Sequence, residues 1–434
     1  MAVNIDEVLE SIEINSEDGS NLHMEFSDYS KKYFLFLILS LFTSLAKAQI
    51  QSVVLQNYFN DFQKVQLSLQ ALHEGKKYAE EEQLLLTYIK KLEEVSLSEK
   101  EQKDYKNLIR GVKASMNYNL ACIRALQNKR KEAIAALEKA VALGYDDYRN
   151  VKTDKDLVNI RKEKKFVVLL QKLKAFDKLA LLQQSGAYQK EQRDTLPPFT
   201  YQSATDPSLV QVRDYFKLDS VVGTGDELSK IFKLLHFVHD NIAHDGGNYA
   251  LCEFDAIDIY NYHKATKKGV NCRHLAITLN EMYLAMGIPS RYITCMPKNP
   301  EDSDCHVINS VYSSQLQKWI WIDPTNNAYV KDEKGNLLSI AEVRDRLIHN
   351  KPLVLNEDAN WNNKEKQTKE EYLENYMAKN LYWFSCPLQS QFNPESRFRK
   401  TATTFVALLP IGFVKPKGKE EYITHDPDYF WQKP

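Results

Sequence analysis

The chain has little glycine and little proline, 14 of each in 434 residues, which excludes a collagen-like, fibrous or low-complexity protein. It also has almost no net charge. Its 57 basic and 58 acidic residues leave −1, so no global field recommends nucleic acid or an anionic membrane as a partner. Six cysteines (Cys122, Cys252, Cys272, Cys295, Cys305, Cys386) contain no C-x-x-C, which excludes a zinc ribbon or a thioredoxin-type dithiol. They are too few for a disulfide scaffold. What is present is aromatic: 24 Tyr, 19 Phe and 5 Trp suit well-packed domains, and the length allows two or three of them.

Near the N-terminus, Lys31 and Lys32 precede an apolar run over residues 33–45, and Ala46-Lys-Ala48 follows with small residues at the two positions that a signal peptidase reads. A run of thirteen residues falls short of the ~20 that span a bilayer. The expectation is a cleaved secretory signal ending near Ala48, an exported (periplasmic or extracellular) product, and no stable membrane span after cleavage. An uncleaved N-terminal anchor is the alternative. Residues 1–30 are acidic and polar, unlike the usual lead to a signal, so Met24 competes with Met1 as the start.

Residues 49–185 read as a helical domain, rich in Leu, Lys, Glu and Gln with few breakers. Within it, the stretches from Tyr118 and from Glu132 to Gly144 form two apolar helical faces joined by the polar turn 127–130. Their small residues Ala121, Ala133 and Ala140, with Leu120 and Leu137, resemble one tetratricopeptide unit, in which paired helices approach closely. Such a stack could hold a protein partner or pack on the next domain. Polar and proline-bearing residues then mark a linker, placed at 186–215.

The chemistry concentrates in residues 216–350. A strong helix is expected from Asp226 to His244, broken by Asp245-Gly-Gly-Asn248. Its His236 and His239 could share a face, but no third ligand stands at a fitting spacing, so no metal and no cofactor is assigned. Asn271 is placed to cap a second helix that opens with Cys272, carries an apolar face through Leu275, Leu279, Met282 and Met286, and ends at Gly287 and Pro289. A thiol in the first turn of a helix meets unpaired N–H groups and the positive end of the macrodipole, which favour the thiolate. Period-two runs follow: residues 291–296, 305–312 and 319–323 read as strands, the last two joined as an antiparallel hairpin. His306 at the start of one arm and Asp323 at the end of the other then become neighbours. Cys272 as nucleophile, His306 as base and acid, and Asp323 as orienter make a complete acyl-transfer set. Residues 351–434 are expected to complete the domain, with 356–371 as a charged, solvated segment.

These residues resemble a known family. Gly-Val-Asn-Cys272-Arg-His-Leu-Ala, Asp-Cys-His306-Val-Ile-Asn and Trp-Ile-Asp323-Pro-Thr, in that order, are similar to the motifs of the transglutaminase-like superfamily of papain-type cysteine enzymes. The resemblance implies an α+β core with the nucleophile helix on an antiparallel sheet, and a covalent acyl-enzyme. Asn271 stands where the family often has a small residue. No side-chain oxyanion donor is identifiable, which leaves the Cys272 backbone N–H as the one donor named. The reading is an exported cysteine enzyme acting on peptide or isopeptide amides of a protein or peptide substrate, a protease or amidase ahead of a crosslinker. Its rival is an inactive transglutaminase-like scaffold that binds a partner through its helices.

Overall fold

The computed structural model describes residues 52–190, 196–299, 302, 304–398, 402–415, 418 and 420–434; the expected signal segment and both candidate starts lie outside them. The chain divides into two compact units, Met1–Ala175 and Phe176–Pro434. The fold is α+β, a helical N-terminal region followed by a core of helices on a mixed sheet.

The first unit is helical throughout its described part. Helices α1 (Val53–Glu74), α2 (Tyr78–Glu93), α3 (Lys106–Leu126), α4 (Arg130–Ala142) and α5 (Lys164–Leu173) surround one apolar core. The α3/α4 pair meets through Ala121, Ala125, Ala133, Ala136 and Ala140, all buried, because a methyl side chain lets two helix backbones come close. The buried carboxylate of Glu82 is paired. Glu82 accepts from Arg124 Nε at 2.7 Å and from Lys129 Nζ at 2.7 Å, which holds its carboxyl below the ordinary range although burial, the largest influence, pushes it up.

In the second unit, the helix Lys178–Gln183 already packs Leu179 and Leu182 into this unit's core. Within the stretch expected as a linker, Pro207–Tyr215 is helical, with Asp206 as N-cap and Leu209 and Val212 fully buried. Helices α6 (Glu227–Asn241) and α7 (Ala256–Thr266) flank α8 (Cys272–Ala285). From His274 to Ala285 every residue of α8 is buried, so this is a central helix covered on all sides.

The sheet comprises β1 (Ser290–Met296), β2 (His306–Ser313), β3 (Lys318–Ile322), β4 (Trp383–Pro387), β5 (Phe405–Leu408) and β6 (Glu420–Thr424). Its spatial order is β6-β5-β4-β1-β2-β3. Every pairing is antiparallel except β5 with β6, which is parallel. The expected hairpin is present, with Ser310 opposite Trp321 and Ser313 opposite Lys318. Val307, Val311, Ile320 and Ile322 pack in the core shared with α8, while Ile308 and Trp321 pack in the core on the other side, so both faces are covered.

Residues 356–371 depart from expectation. Asn360, Asn362 and Trp361 are tied to His239 and His244 of the α6 region, for example Asn360 Oδ1 to His239 Nε2 at 2.9 Å. Polar composition here reflects hydrogen bonding between loops, not a free face in water.

Candidate active site

Three local devices aim the Cys272 thiol. Asn271 Oδ1 accepts from the His274 backbone N–H at 3.2 Å and hydrogen-bonds His274 Nδ1 at 2.6 Å, so the cap and the first turn are fixed together. His274 stacks on Phe254, ring centroids 4.9 Å apart, and burial, then the Arg273 charge, hold its pKa down to about 4, which keeps the ring neutral. At the far end, Gly287 at φ +73° closes the helix: its N–H donates to Leu284 O at 2.9 Å and the Ile288 N–H to Tyr283 O at 2.9 Å, the paired bonds of a Schellman stop. The chain turns straight from there into β1.

Arg273 points away from the thiol. It donates to Glu395 Oε1 at 2.7 Å and to Thr294 Oγ1 at 3.1 Å, and the Tyr292 hydroxyl meets the same Glu395 oxygen at 3.1 Å. The start of α8 is thereby bolted to β1 and to the segment before β5.

The three residues singled out by sequence come together. His306 Nε2 and Asp323 Oδ2 are 2.7 Å apart, both buried. Asp323 would oppose Ile308 if the β2/β3 register continued, so His306 is its diagonal neighbour on the same face. Cys272 is partly exposed, and its thiol lies within hydrogen-bonding reach of the His306 and His244 side chains. With His306 Nε2 on the carboxylate, Nδ1 is the nitrogen left for the open side, where the Tyr376 hydroxyl also lies at 3.4 Å.

Asp323 has two duties, one per oxygen. Oδ1 accepts from the Thr325 N–H at 2.8 Å and forms the turn after β3, the bland role expected of an Asp before proline. Oδ2 accepts from His306, from the Tyr372 hydroxyl at 2.6 Å and from Asn326 Nδ2 at 3.0 Å. Burial is the largest single influence and raises its pKa, but the His306 charge and these donors together carry it down to about 2. The same contacts raise His306 to about 10 against burial, which alone would lower it, through Asp323 first and then the thiol. For Cys272, burial again opposes ionisation, yet hydrogen bonds from His244 and His306 bring its pKa down to about 6. The electrostatics favour a thiolate beside an imidazolium.

Tyr372 and Tyr376 are not among the residues that the sequence singles out. They lie four positions apart on the π-helix Lys369–Met377 and straddle the His306–Asp323 pair. Trp321 Nε1 donates to the Tyr372 hydroxyl at 3.2 Å, which fixes that hydroxyl's remaining direction toward Asp323. Their spacing is ordinary for any helix, so only the fold reveals them. The α6 histidines serve structure: His239 uses Nδ1 on Pro324 O at 3.0 Å and Nε2 on Asn360, while His236 Nδ1 meets Asn327 Oδ1 at 2.8 Å. Among the described residues no group of three or more His, Cys, Asp or Glu side chains could hold a metal ion. All six cysteines are free thiols.

The chain is similar to known proteins over part of its length. Residues 216–324 match the sequence profile of the Transglutaminase-like superfamily. A solved structure from Cytophaga hutchinsonii, described as "a Putative Cysteine Protease", covers 39% of this chain and 55% of its own at 20% identity and a TM-score of 0.22. A curated chloroplastic protein of Arabidopsis thaliana is 39% identical over 61 residues, which are 14% of this chain. The chain spans 17% of the length of that curated relative and about half of the solved structure. The stretch that carries Cys272, His306 and Asp323 is a transglutaminase-like domain of the superfamily with α+β fold, preceded in the chain by a helical region.

Proposed function

We propose that this chain is an exported cysteine-dependent enzyme that opens peptide or isopeptide amides through a thioester on Cys272, with hydrolysis ahead of crosslinking. The observation that carries the reading is the buried His306–Asp323 pair at 2.7 Å with the thiol in hydrogen-bonding reach of the same imidazole. Export rests on the basic pair and apolar run at residues 31–48 alone.

The thiolate of Cys272 attacks the amide carbon, an S–C bond forms and the carbonyl electron pair moves to oxygen. On collapse the C–N bond breaks, and His306 gives its Nδ1 proton to the leaving amine. Water then adds to the thioester while the now neutral His306 takes its proton, and expulsion of the thiolate restores the ion pair. Asp323 stays ionised throughout and holds Nε2–H, so that Nδ1 always faces the reaction.

The test is incubation of the full chain and its Cys272→Ser variant with denatured β-casein, with and without dansylcadaverine. New amino termini with wild type alone support hydrolysis. Dansyl incorporation without new termini makes it a transamidase, and neither product from wild type removes the protein-amide reading.

A further inference from the structure

The Cys272 thiol has two imidazole neighbours, since His244 as well as His306 favours its ionised form. His244 follows the end of α6, and its backbone runs beside Val270 in an isolated parallel bridge, two residues ahead of Cys272. That approach depends on Gly269: a Cβ there would stand 2.8 Å from the Asp245 backbone nitrogen and 2.8 Å from the His244 carbonyl carbon. On the other side the His244 backbone is locked to Asn362, whose Oδ1 accepts from its N–H at 2.7 Å and whose Nδ2 donates to its carbonyl at 2.9 Å.

The ring's protonation follows from its partners. Trp361 Nε1 meets His244 Nδ1 at 2.9 Å, and an indole N–H only donates. Nδ1 is therefore the accepting nitrogen, and the neutral ring carries its proton on Nε2. With Nδ1 taken by Trp361, the nitrogen that faces the Cys272 sulfur is Nε2, as a donor. The two imidazoles cannot share one role. A carboxylate supports a second proton on His306, whereas a second proton on His244 would set two N–H donors face to face.

The geometry points to His244 as the side-chain oxyanion donor of this site, its Nε2–H acting with the Cys272 backbone N–H, and to Trp361 as the positioning residue that fixes the donating tautomer. The assignment rests on the reading of Cys272 as nucleophile. A donor already directed at the attacking sulfur is beside the carbonyl oxygen as the S–C bond forms and the carbonyl electron pair shifts to that oxygen. When the leaving-group bond breaks and the pair returns, the same N–H reverts to the neutral carbonyl. No proton is transferred by His244 at any step.

Two reagents separate this role from that of a base. Iodoacetamide alkylates a thiolate at a saturated carbon, without an oxyanion, while p-nitrophenyl acetate acylates it through one and releases p-nitrophenolate. Both are measured on the full chain by the mass of the Cys272 peptide, with pH profiles used to express each rate per thiolate. His244→Ala is expected to slow acylation per thiolate by about 10²-fold, the usual cost of a lost oxyanion donor, and alkylation by no more than about threefold. His244→Gln keeps a side-chain N–H and recovers part of the acylation rate, which a collapsed site would not. Trp361→Phe frees Nδ1 and releases the choice of tautomer, so acylation per thiolate falls while alkylation holds. Equal loss of both reactions in His244→Ala, or no loss of acylation, overturns the donor assignment while leaving Cys272 as nucleophile. A wild-type Cys272 that takes up neither reagent overturns the nucleophile reading, and the donor with it.

Discussion

Replacing His306 with alanine removes the cation that faces the thiolate, and the consequence can be worked out before any substrate is known. A fall of the Cys272 pKa from the ordinary 9.0 to about 6 is worth ~4 kcal/mol in favour of the thiolate, at ~1.4 kcal/mol per tenfold. Burial opposes this shift, so the hydrogen bonds and charge of the two histidines supply all of it. Without His306, burial pushes the thiol up and the remaining His244 donor pulls it down, and the ordinary value of 9.0 is the natural reference. Ionisation alone then predicts a rate lower by ~90-fold at pH 7 and ~900-fold at pH 5 for iodoacetamide alkylation of Cys272. A less stabilised thiolate is intrinsically more nucleophilic, by ~20-fold over this range of pKa. The net loss is therefore only ~4-fold at pH 7 and ~45-fold at pH 5. A single rate at neutral pH is a poor test; the midpoint of the pH–rate curve is the sharp one. Wild type should show a midpoint near 6 and His306→Ala one near 9, read from the Cys272 peptide by mass spectrometry. A wild-type midpoint near 9, or the same midpoint in both chains, would refute the ion-pair argument.

Turnover of any amide substrate should follow a bell in pH, rising through about 6 as Cys272 ionises and falling through about 10 as His306 loses the proton owed to the leaving amine. A profile still climbing above pH 10 would remove His306 as the acid. Tyr372→Phe strips a hydroxyl that donates to Asp323 and accepts from Trp321, leaving the buried indole N–H unpaired, so urea unfolding should report a loss of about 2 kcal/mol and the Asp323 carboxyl should titrate higher. An unchanged unfolding midpoint would show that the π-helix carries no such load. Gly269→Ala forces the 243–245 segment away from 269–270, costing about 1–3 kcal/mol, and alkylation of Cys272 should show a raised midpoint because His244 moves off the thiol. Wild-type stability and midpoint in that variant would mean the backbone relaxes without consequence.

The parts legible from sequence are those in which one residue type has one physical use. Asn271 before an apolar helix reads as a cap and is one, and Gly287 stops the helix because its φ of +73° suits a residue without Cβ. The hairpin is equally plain, since a short turn between two alternating runs can pair in only one sense, and that pairing brings His306 to Asp323. The polar shell is not legible. Trp361, Asn362, Tyr372 and Tyr376 reach the site from segments far along the chain, and nothing in a run of asparagine, lysine and glutamate announces which member will meet a histidine. His244 is visible in the sequence only as the third histidine of an ordinary helix. Its partner Trp361, on a segment expected to be solvated, is what gives it a direction.

The central claim is that Cys272 forms a covalent acyl intermediate while His306 serves it. Acid quenching the full chain within seconds of mixing with p-nitrophenyl acetate at pH 5, where the His306 contribution is large, followed by peptide mapping, tests it most directly. The account predicts one acetyl group on the Cys272 peptide, released by hydroxylamine as a thioester is, absent from Cys272→Ala and strongly reduced in His306→Ala. Acetylation spread over the six cysteines, or an adduct on the Cys272 peptide that persists undiminished in His306→Ala, would contradict it.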